Sequence, residues 1–192
     1  MDFVFECDDF LTKEYCEIII KKVESKGTTV PGLISGERQP HIKKGDDIYL
    51  TRDFNLWQKE IRFLDIKIKE VADRYKKHLI DNKLYHKLEV DNFFRDMKLN
   101  LPQIQQTKTG EFYRWHVDST VKGCKRVLTY IIYLNDMNEE NGGSTDFLNK
   151  SIKPKAGKLV IFPATWTYIH RGKRVEKGTK YILSGFGYLN VV

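Results

Sequence analysis

The sequence predicts an α+β fold, a β-sandwich or barrel supported by helices on one side, and three observations predict it. Apolar residues recur with helical period over about residues 12–82, apart from one long interruption, and in short strand-like runs after residue 97. Seven such runs follow, each bounded by turn-forming residues. No repeat, low-complexity tract or Pro/Gly linker divides the 192 residues, which read as one domain large enough for a substantial core.

The first helix is expected from Thr12 to about Glu24, with Leu11, Tyr15, Ile18 and Ile19 inward. Residues 27–47 carry Gly32, Gly36, Pro40, Gly45, Asp46 and Asp47, which reads as a long loop with room for a strand. A second helix follows, with Thr51 or Asp53 as its cap. In it Trp57, Ile61, Leu64, Ile68, Val71, Tyr75 and Leu79 fall at steps of three and four, on one face. The strands are expected at Leu99–Gln106, Phe112–Val117, Arg126–Asn135, Ser144–Leu148, Lys158–Pro163, Thr167–Arg171 and Tyr181–Tyr188. Between them stand turn signals such as Lys108-Thr109-Gly110, Lys122-Gly123, Asn141-Gly142-Gly143 and Ala156-Gly157. Residues 1–97 are thus expected to be helical support with a loop, and residues 98–192 the β core.

Composition excludes several classes. With 41% hydrophobic and 31% charged residues the chain fits a soluble globular protein and not an intrinsically disordered one. No apolar run reaches the ~18 residues of a membrane span. The start, Met1-Asp2-Phe3-Val4-Phe5-Glu6, lacks the basic-then-apolar pattern of a secretion signal. Cys7, Cys16 and Cys124 form no C-x-x-C pair, so reduced thiols in the cytoplasm are expected. The net charge of +7 is spread among acids and reads as a solvated surface rather than a nucleic-acid patch.

The chemistry starts at His116-Val117-Asp118. Residues i and i+2 of a strand share a face, so an imidazole and a carboxylate would project together. His170, on a later strand, supplies a third ligand. Two histidines and one carboxylate on one face of an octahedron are the arrangement of non-haem Fe(II) oxygenases. Ten residues on, Lys180 opens the apolar run Tyr181-Ile182-Leu183. A cation buried there requires an anion, such as the far carboxylate of 2-oxoglutarate, to which Tyr133 could add a phenolic donor. Taken singly, a solvent-facing lysine and a core tyrosine are simpler accounts, and Trp115, on the opposite strand face from His116, is expected in the core. H-E-x-x-H, G-x-S-x-G and P-loop motifs are missing from the sequence.

Taken together, the run Gly110-Glu111-Phe112-Tyr113-Arg114-Trp115-His116-Val117-Asp118 resembles the G-x-x-Y-x-x-H-x-D strand of prolyl 4-hydroxylase-like 2-oxoglutarate/Fe(II) dioxygenases. R-x-x-T-x-x-x-Y-L-N at 126–135, G-G-x-T-x-F at 142–147, K-x-G-x-L-x-x-F-P at 155–163 and His170 with Lys180 follow in the family's order. The resemblance covers about residues 99–189, half the chain. It implies a distorted double-stranded β-helix (jelly-roll) core, iron held by His116, Asp118 and His170, and 2-oxoglutarate held by Lys180 and Tyr133, with Thr145 a third contact. It places Tyr113 and Arg126 near the substrate. O₂ is the implied second co-substrate, and ascorbate is expected to support turnover. Two departures stand out: Gln106 and Thr107 where the family often has Tyr, and Phe186 where it often has Trp.

The substrate expected is a prolyl residue in a peptide or protein, with no membrane partner. A free amino acid, a small metabolite or a nucleic acid are alternatives. Nucleic acid ranks below the others because the two arginines of that branch are replaced by Lys180 and Phe186. From another class, a catalytically silent basic β-barrel binding module remains. Residues 27–47, with Arg38, His41, Lys43 and Lys44, are a candidate lid.

Overall fold

The computed structural model describes residues 2–34, 36–119 and 126–189. The predicted turn at Lys122-Gly123, and Cys124 with it, lies outside the described residues. In chain order the elements are β1 (Phe5–Cys7), α1 (Lys13–Lys26), β2 (Val30–Pro31), β3 (Lys43–Lys44), β4 (Asp46–Ile48), α2 (Phe54–Asp81) and α3 (Lys87–Arg95). Then come β5 (Met97–Leu99), β6 (Gln103–Lys108), β7 (Phe112–His116), β8 (Arg126–Tyr133), β9 (Thr145–Phe147), β10 (Ser151–Ile152), β11 (Leu159–Pro163), β12 (His170–Gly172) and β13 (Thr179–Leu189).

Two antiparallel sheets make the double-stranded β-helix. The larger runs β1-β11-β8-β13-β6-β4-β2, with β5 also on β13, and the smaller runs β10-β9-β12-β7-β3. Strand alternation sorts the side chains of the central strands onto two faces. Leu128, Tyr130 and Ile132 of β8, Leu159 and Ile161 of β11, and Tyr181 and Leu183 of β13 pack on the helices. The intervening Ile131, Tyr133, Val160, Phe162 and Ile182 face the smaller sheet and meet its Phe147 and Ile152. Each large apolar side chain so buried contributes about 1.5–3 kcal/mol.

The helices form where the periodicity predicts. Thr12 caps α1 by accepting from the Tyr15 N–H, and Asp53 caps α2 by accepting from the Leu56 N–H. The predicted stripe of α2 is its buried face. Glu60 shares that face and is tolerated because the Lys22 ammonium of α1 lies 2.7 Å from it. On α1 the buried residues are Cys16, Ile19 and Val23, whereas Ile18 is 54% exposed rather than inward. Ile18 stands two positions, about 200° of turn, from Cys16.

Other departures have local causes. The run Leu99–Gln106 divides into β5 and β6, because Pro102 between them has no N–H to pair. The run Thr167–Arg171 begins as a 3-10 turn, Trp166–Tyr168, and becomes strand only at His170. Helix α3 lies in a stretch with little apolar pattern and buries only Val90 and Phe94. Segment 27–47 is tied into both sheets, with Asp46–Ile48 pairing β6 and Lys43–Lys44 pairing β7. The N-terminal half therefore supplies strands as well as helices. Gly142 takes φ +68° at a turn where a Cβ would stand 2.3 Å from the Arg174 carbonyl, so glycine is required. Among the described residues no helix is long and apolar enough to cross a membrane.

Candidate active site

Between the sheets lies a cavity of about 540 Å³, a size suited to a small organic ligand. His116 ends β7 and His170 begins β12, and the two are direct cross-strand partners, with rings 4.2 Å apart. The strand ends at His116, so Asp118 is not aligned by the pleat as the sequence suggests. It lies past the strand end and is held instead by Thr129 of β8, whose hydroxyl donates to Asp118 Oδ2 at 2.6 Å. One ligand atom from each of His116, Asp118 and His170 lies within 4.8 Å of the others.

Second contacts fix which nitrogens are available. His116 Nδ1 lies 2.8 Å from the Arg114 carbonyl and His170 Nδ1 lies 3.1 Å from the Tyr168 carbonyl. A carbonyl only accepts, so each Nδ1 bears a hydrogen, and Nε2 is the atom each ring turns toward Asp118. Those Nε2 atoms stand 3.5 Å from the two oxygens of Asp118, one on each. Burial pushes the His170 pKa down to about 4, against the pull of Asp118, so its ring is neutral at pH 7. Burial alone would raise Asp118, but the His116 hydrogen bond, both imidazoles and Thr129 hold it well below the usual carboxylate range. Two imidazole nitrogens and one carboxylate are the donor set a divalent iron takes, so these residues fit the metal.

Lys180 is 4% exposed, on the β13 face shared with Ile182 and Ser184, and all three line the cavity. It donates to the Gly143 carbonyl at 2.9 Å, and burial pushes its pKa down to about 8. An ammonium has three donors, and this bond occupies one. Thr145 lines the cavity as well, whereas Tyr133 does not. Tyr133 is fully buried behind Thr145 and donates to its Oγ1 at 2.6 Å. That bond leaves the Thr145 hydroxyl hydrogen available to the cavity.

Tyr113 stacks flat on the His116 ring, centroids 3.5 Å apart and planes within 12°. Arg126 lies over Phe186 at 3.9 Å and donates through Nε to the Tyr188 hydroxyl. Trp115 is 40% exposed on the cavity wall, with the Arg171 guanidinium 4.9 Å over its ring, and so is not a core residue. Gln106, in place of the expected Tyr, is buried on the wall and donates to the Tyr181 hydroxyl. Sequence reasoning missed a buried ion pair, Lys43 Nζ to Asp47 at 2.8 Å, on the same wall. Its signal was two charges four apart inside a loop, indistinguishable from a solvated loop until β3 and β4 carry them inward.

Residues 102–188 match the model of the 2OG-Fe(II) oxygenase superfamily. That segment, just under half of the chain, is similar to the superfamily. A PKHD-type hydroxylase of Hyphomonas neptunium is 30% identical over 106 residues, 50% of this chain and 46% of that protein. The chain thus spans less than half the length of this curated relative. Two solved structures share its fold. A Pseudomonas putida prolyl-4-hydroxylase superposes with TM-score 0.70 at 14% identity, covering 98% of this chain and 93% of that one. A Trichoplax adhaerens prolyl hydroxylase, solved with a hypoxia inducible factor peptide fragment, gives 0.77 at 16% identity, covering 98% and 84%. The family matched by residues 102–188 uses Fe(II), with which the donor set above agrees.

Proposed function

We propose that the oxygenase hydroxylates a C–H bond of a prolyl residue in a peptide or protein, consuming O₂ and 2-oxoglutarate and releasing succinate and CO₂. The convergence of His116, Asp118 and His170 in the same cavity as the buried Lys180 carries this reading. When bound, Fe(II) and 2-oxoglutarate supply the oxidising chemistry that no protein side chain provides. His116 and His170 offer Nε2 as the ligand atom because backbone carbonyls hold their Nδ1 hydrogens, and Thr129 fixes the Asp118 carboxylate. Lys180 and Thr145 receive the far carboxylate of the co-substrate, and Tyr133 orients the Thr145 hydroxyl. Tyr113 packs on His116, and Arg126 lies on the same cavity wall, where they bound the space for a substrate.

Peptide is favoured over free amino acid, metabolite or nucleic acid because two neighbours in fold are prolyl hydroxylases, one of them holding a peptide fragment. A silent binding module has no use for a buried, nearly unpartnered ammonium beside three metal-type ligands. We read the chain as one domain. Its Cys7 and Cys16 thiols, both free, suit a reducing cytoplasm, and ascorbate is expected to support turnover by keeping iron reduced. Anaerobic addition of Fe(II) and 2-oxoglutarate should produce a weak visible charge-transfer band. No band at saturating ligand would overturn the reading. With O₂, a proline-containing peptide should raise succinate formation and gain the mass of one oxygen atom, and stimulation by oligonucleotides alone would overturn the choice of substrate.

A further inference from the structure

Strand β7 carries a β-bulge beside the candidate metal ligands. His116 pairs with His170 and Tyr113 with Gly172, so two residues of β7, Arg114 and Trp115, oppose the single Arg171 of β12. In a regular strand, residues three apart point to opposite faces. The extra residue brings Tyr113 and His116 together instead, with their rings stacked 3.5 Å apart. The bulge also sets the Arg114 backbone. Its N–H donates to the Ile42 carbonyl at 2.8 Å, whereas the Ile42 N–H donates to the Gln39 carbonyl. The Arg114 carbonyl therefore does not return to Ile42, and it lies 2.8 Å from His116 Nδ1. That contact turns the His116 Nε2 atom toward Asp118, 3.5 Å away.

A bulge locally disrupts the ladder, so its shape needs other support. Here side chains give it. Arg171, opposite the bulge, is the cross-strand partner of Asp146 on its other side. Its Nε and Nη2 both lie 2.9 Å from Asp146 Oδ2. Asp146 Oδ1 accepts from the Ser144 and Ser151 hydroxyls, each at 2.7 Å. The guanidinium so fixed lies 4.9 Å over the Trp115 ring, within cation–π reach. Asp146, Arg171 and Trp115 thus run in one line across β9, β12 and β7, each adjacent in sequence to Thr145, His170 or His116. We propose that this line is a positioning device, in which Arg171 and Trp115 hold the bulge that sets the Arg114 carbonyl behind His116 and so fixes the angle at which His116 meets the metal. The proposal rests on the reading above that His116 is a metal ligand, and it adds the residues that orient that ligand.

The test reads the metal site rather than turnover. Fe(II) affinity is measured anaerobically by calorimetry, and Co(II) is loaded in its place because its visible bands report coordination geometry. Arg171→Met keeps an apolar stem but loses both the carboxylate contact and the stacking plane. It should weaken Fe(II) binding about tenfold, the lower end for groups that orient metal ligands, and shift the Co(II) bands. The direction is diagnostic, because removing a nearby positive charge would by itself tighten the binding of a cation. Trp115→Ala should act in the same way, and Trp115→Phe, which keeps a ring under the guanidinium, should restore both affinity and bands. The Trp115 residue and the Arg171 side chain are each 40% exposed, so these variants are expected to fold, which circular dichroism checks. Ile152→Val loosens the core under the same sheet and should leave affinity and bands unchanged. Wild-type affinity and bands in both Arg171→Met and Trp115→Ala would overturn the proposal. A phenylalanine no better than alanine at position 115, or an equal loss in Ile152→Val, would overturn it too. Failure of the underlying reading appears separately, as a wild-type protein that takes up neither metal, and it would remove the metal site and this role together.

Discussion

The two faces of the larger sheet share the same strands and differ in kind. Toward the helices, Leu128, Tyr130, Ile132, Leu159, Ile161 and Leu183 make a nearly continuous apolar surface. Toward the smaller sheet, apolar Val160 and Phe162 give way to Thr129, Lys180 and Ser184, which are buried polar groups. Alternation alone produces this division, since a shift of one residue exchanges the faces. One face is held by area removed from water and the other by specific partners. Substitutions should therefore separate cleanly: on the helix face they change stability, and on the cavity face they change ligand binding.

The largest effect is expected at the metal ligands. His116→Ala, His170→Ala and Asp118→Ala should each abolish iron binding, because three ligands leave no redundancy. Isothermal titration with Fe(II) under nitrogen, alongside circular dichroism to confirm folding, checks this. Near-normal iron affinity in all three would break the comparison at its centre. Next comes the helix face, where Leu128→Ala should cost about 2–5 kcal/mol of stability, the range for emptying a buried leucine site. Denaturant titration measures that loss, and iron affinity of the folded variant should not move.

Lys180→Ala should weaken 2-oxoglutarate binding about a hundredfold, the equivalent of roughly 1.5–3 kcal/mol for a charge-assisted hydrogen bond, while iron affinity changes much less. The pH dependence has a definite sign. Because burial lowers the Lys180 pKa to about 8, the ammonium that a dianionic co-substrate needs is present below that pH and lost above it. Affinity should fall as pH rises through about 8. Between about 8 and the ordinary lysine value the folded, ligand-free protein binds fewer protons than the unfolded chain, so its stability rises with pH over the same window. Opposite slopes for affinity and stability are the signature. A co-substrate affinity that is flat from pH 7 to 9 would place Lys180 outside the contact.

The helix face was legible in the sequence almost residue by residue, since Trp57 to Leu79 and the alternation of the strands are periodic signals. Ile18 was misplaced because two adjacent isoleucines fit a short helix equally well, and only packing chooses between them. On the cavity face the three candidate ligands were legible as residue types at set spacings, but their support was not. Nothing local to Asp118 points to Thr129, which reaches it from another strand. The contact between Tyr133 and Thr145 likewise depends on how β8 and β9 pack, not on either segment alone. Lys43 and Asp47 read as loop charges because the pairing of β3 and β4 with the core has no periodic signature in strands so short.

The smallest effect concerns Thr129, the neighbour of Leu128 and its opposite in role. Its hydroxyl is buried and donates to Asp118 Oδ2, so it holds the carboxylate without touching a metal. Thr129→Val keeps the shape and the β-branch, removes the donor, and leaves one Asp118 oxygen without that partner. Partners of metal ligands typically contribute 10–100-fold to metal affinity. The lower end is expected here, about tenfold, because His116 and His170 keep their own backbone contacts. Stability should change by only about 1 kcal/mol, the net worth of one hydrogen bond. Thr129→Ser should restore iron affinity, since it returns the hydroxyl, even though it forfeits a methyl group. If valine left iron affinity unchanged, or serine failed to rescue it, Thr129 would belong with the packing residues, and the two faces of β8 would be less distinct than the structure makes them.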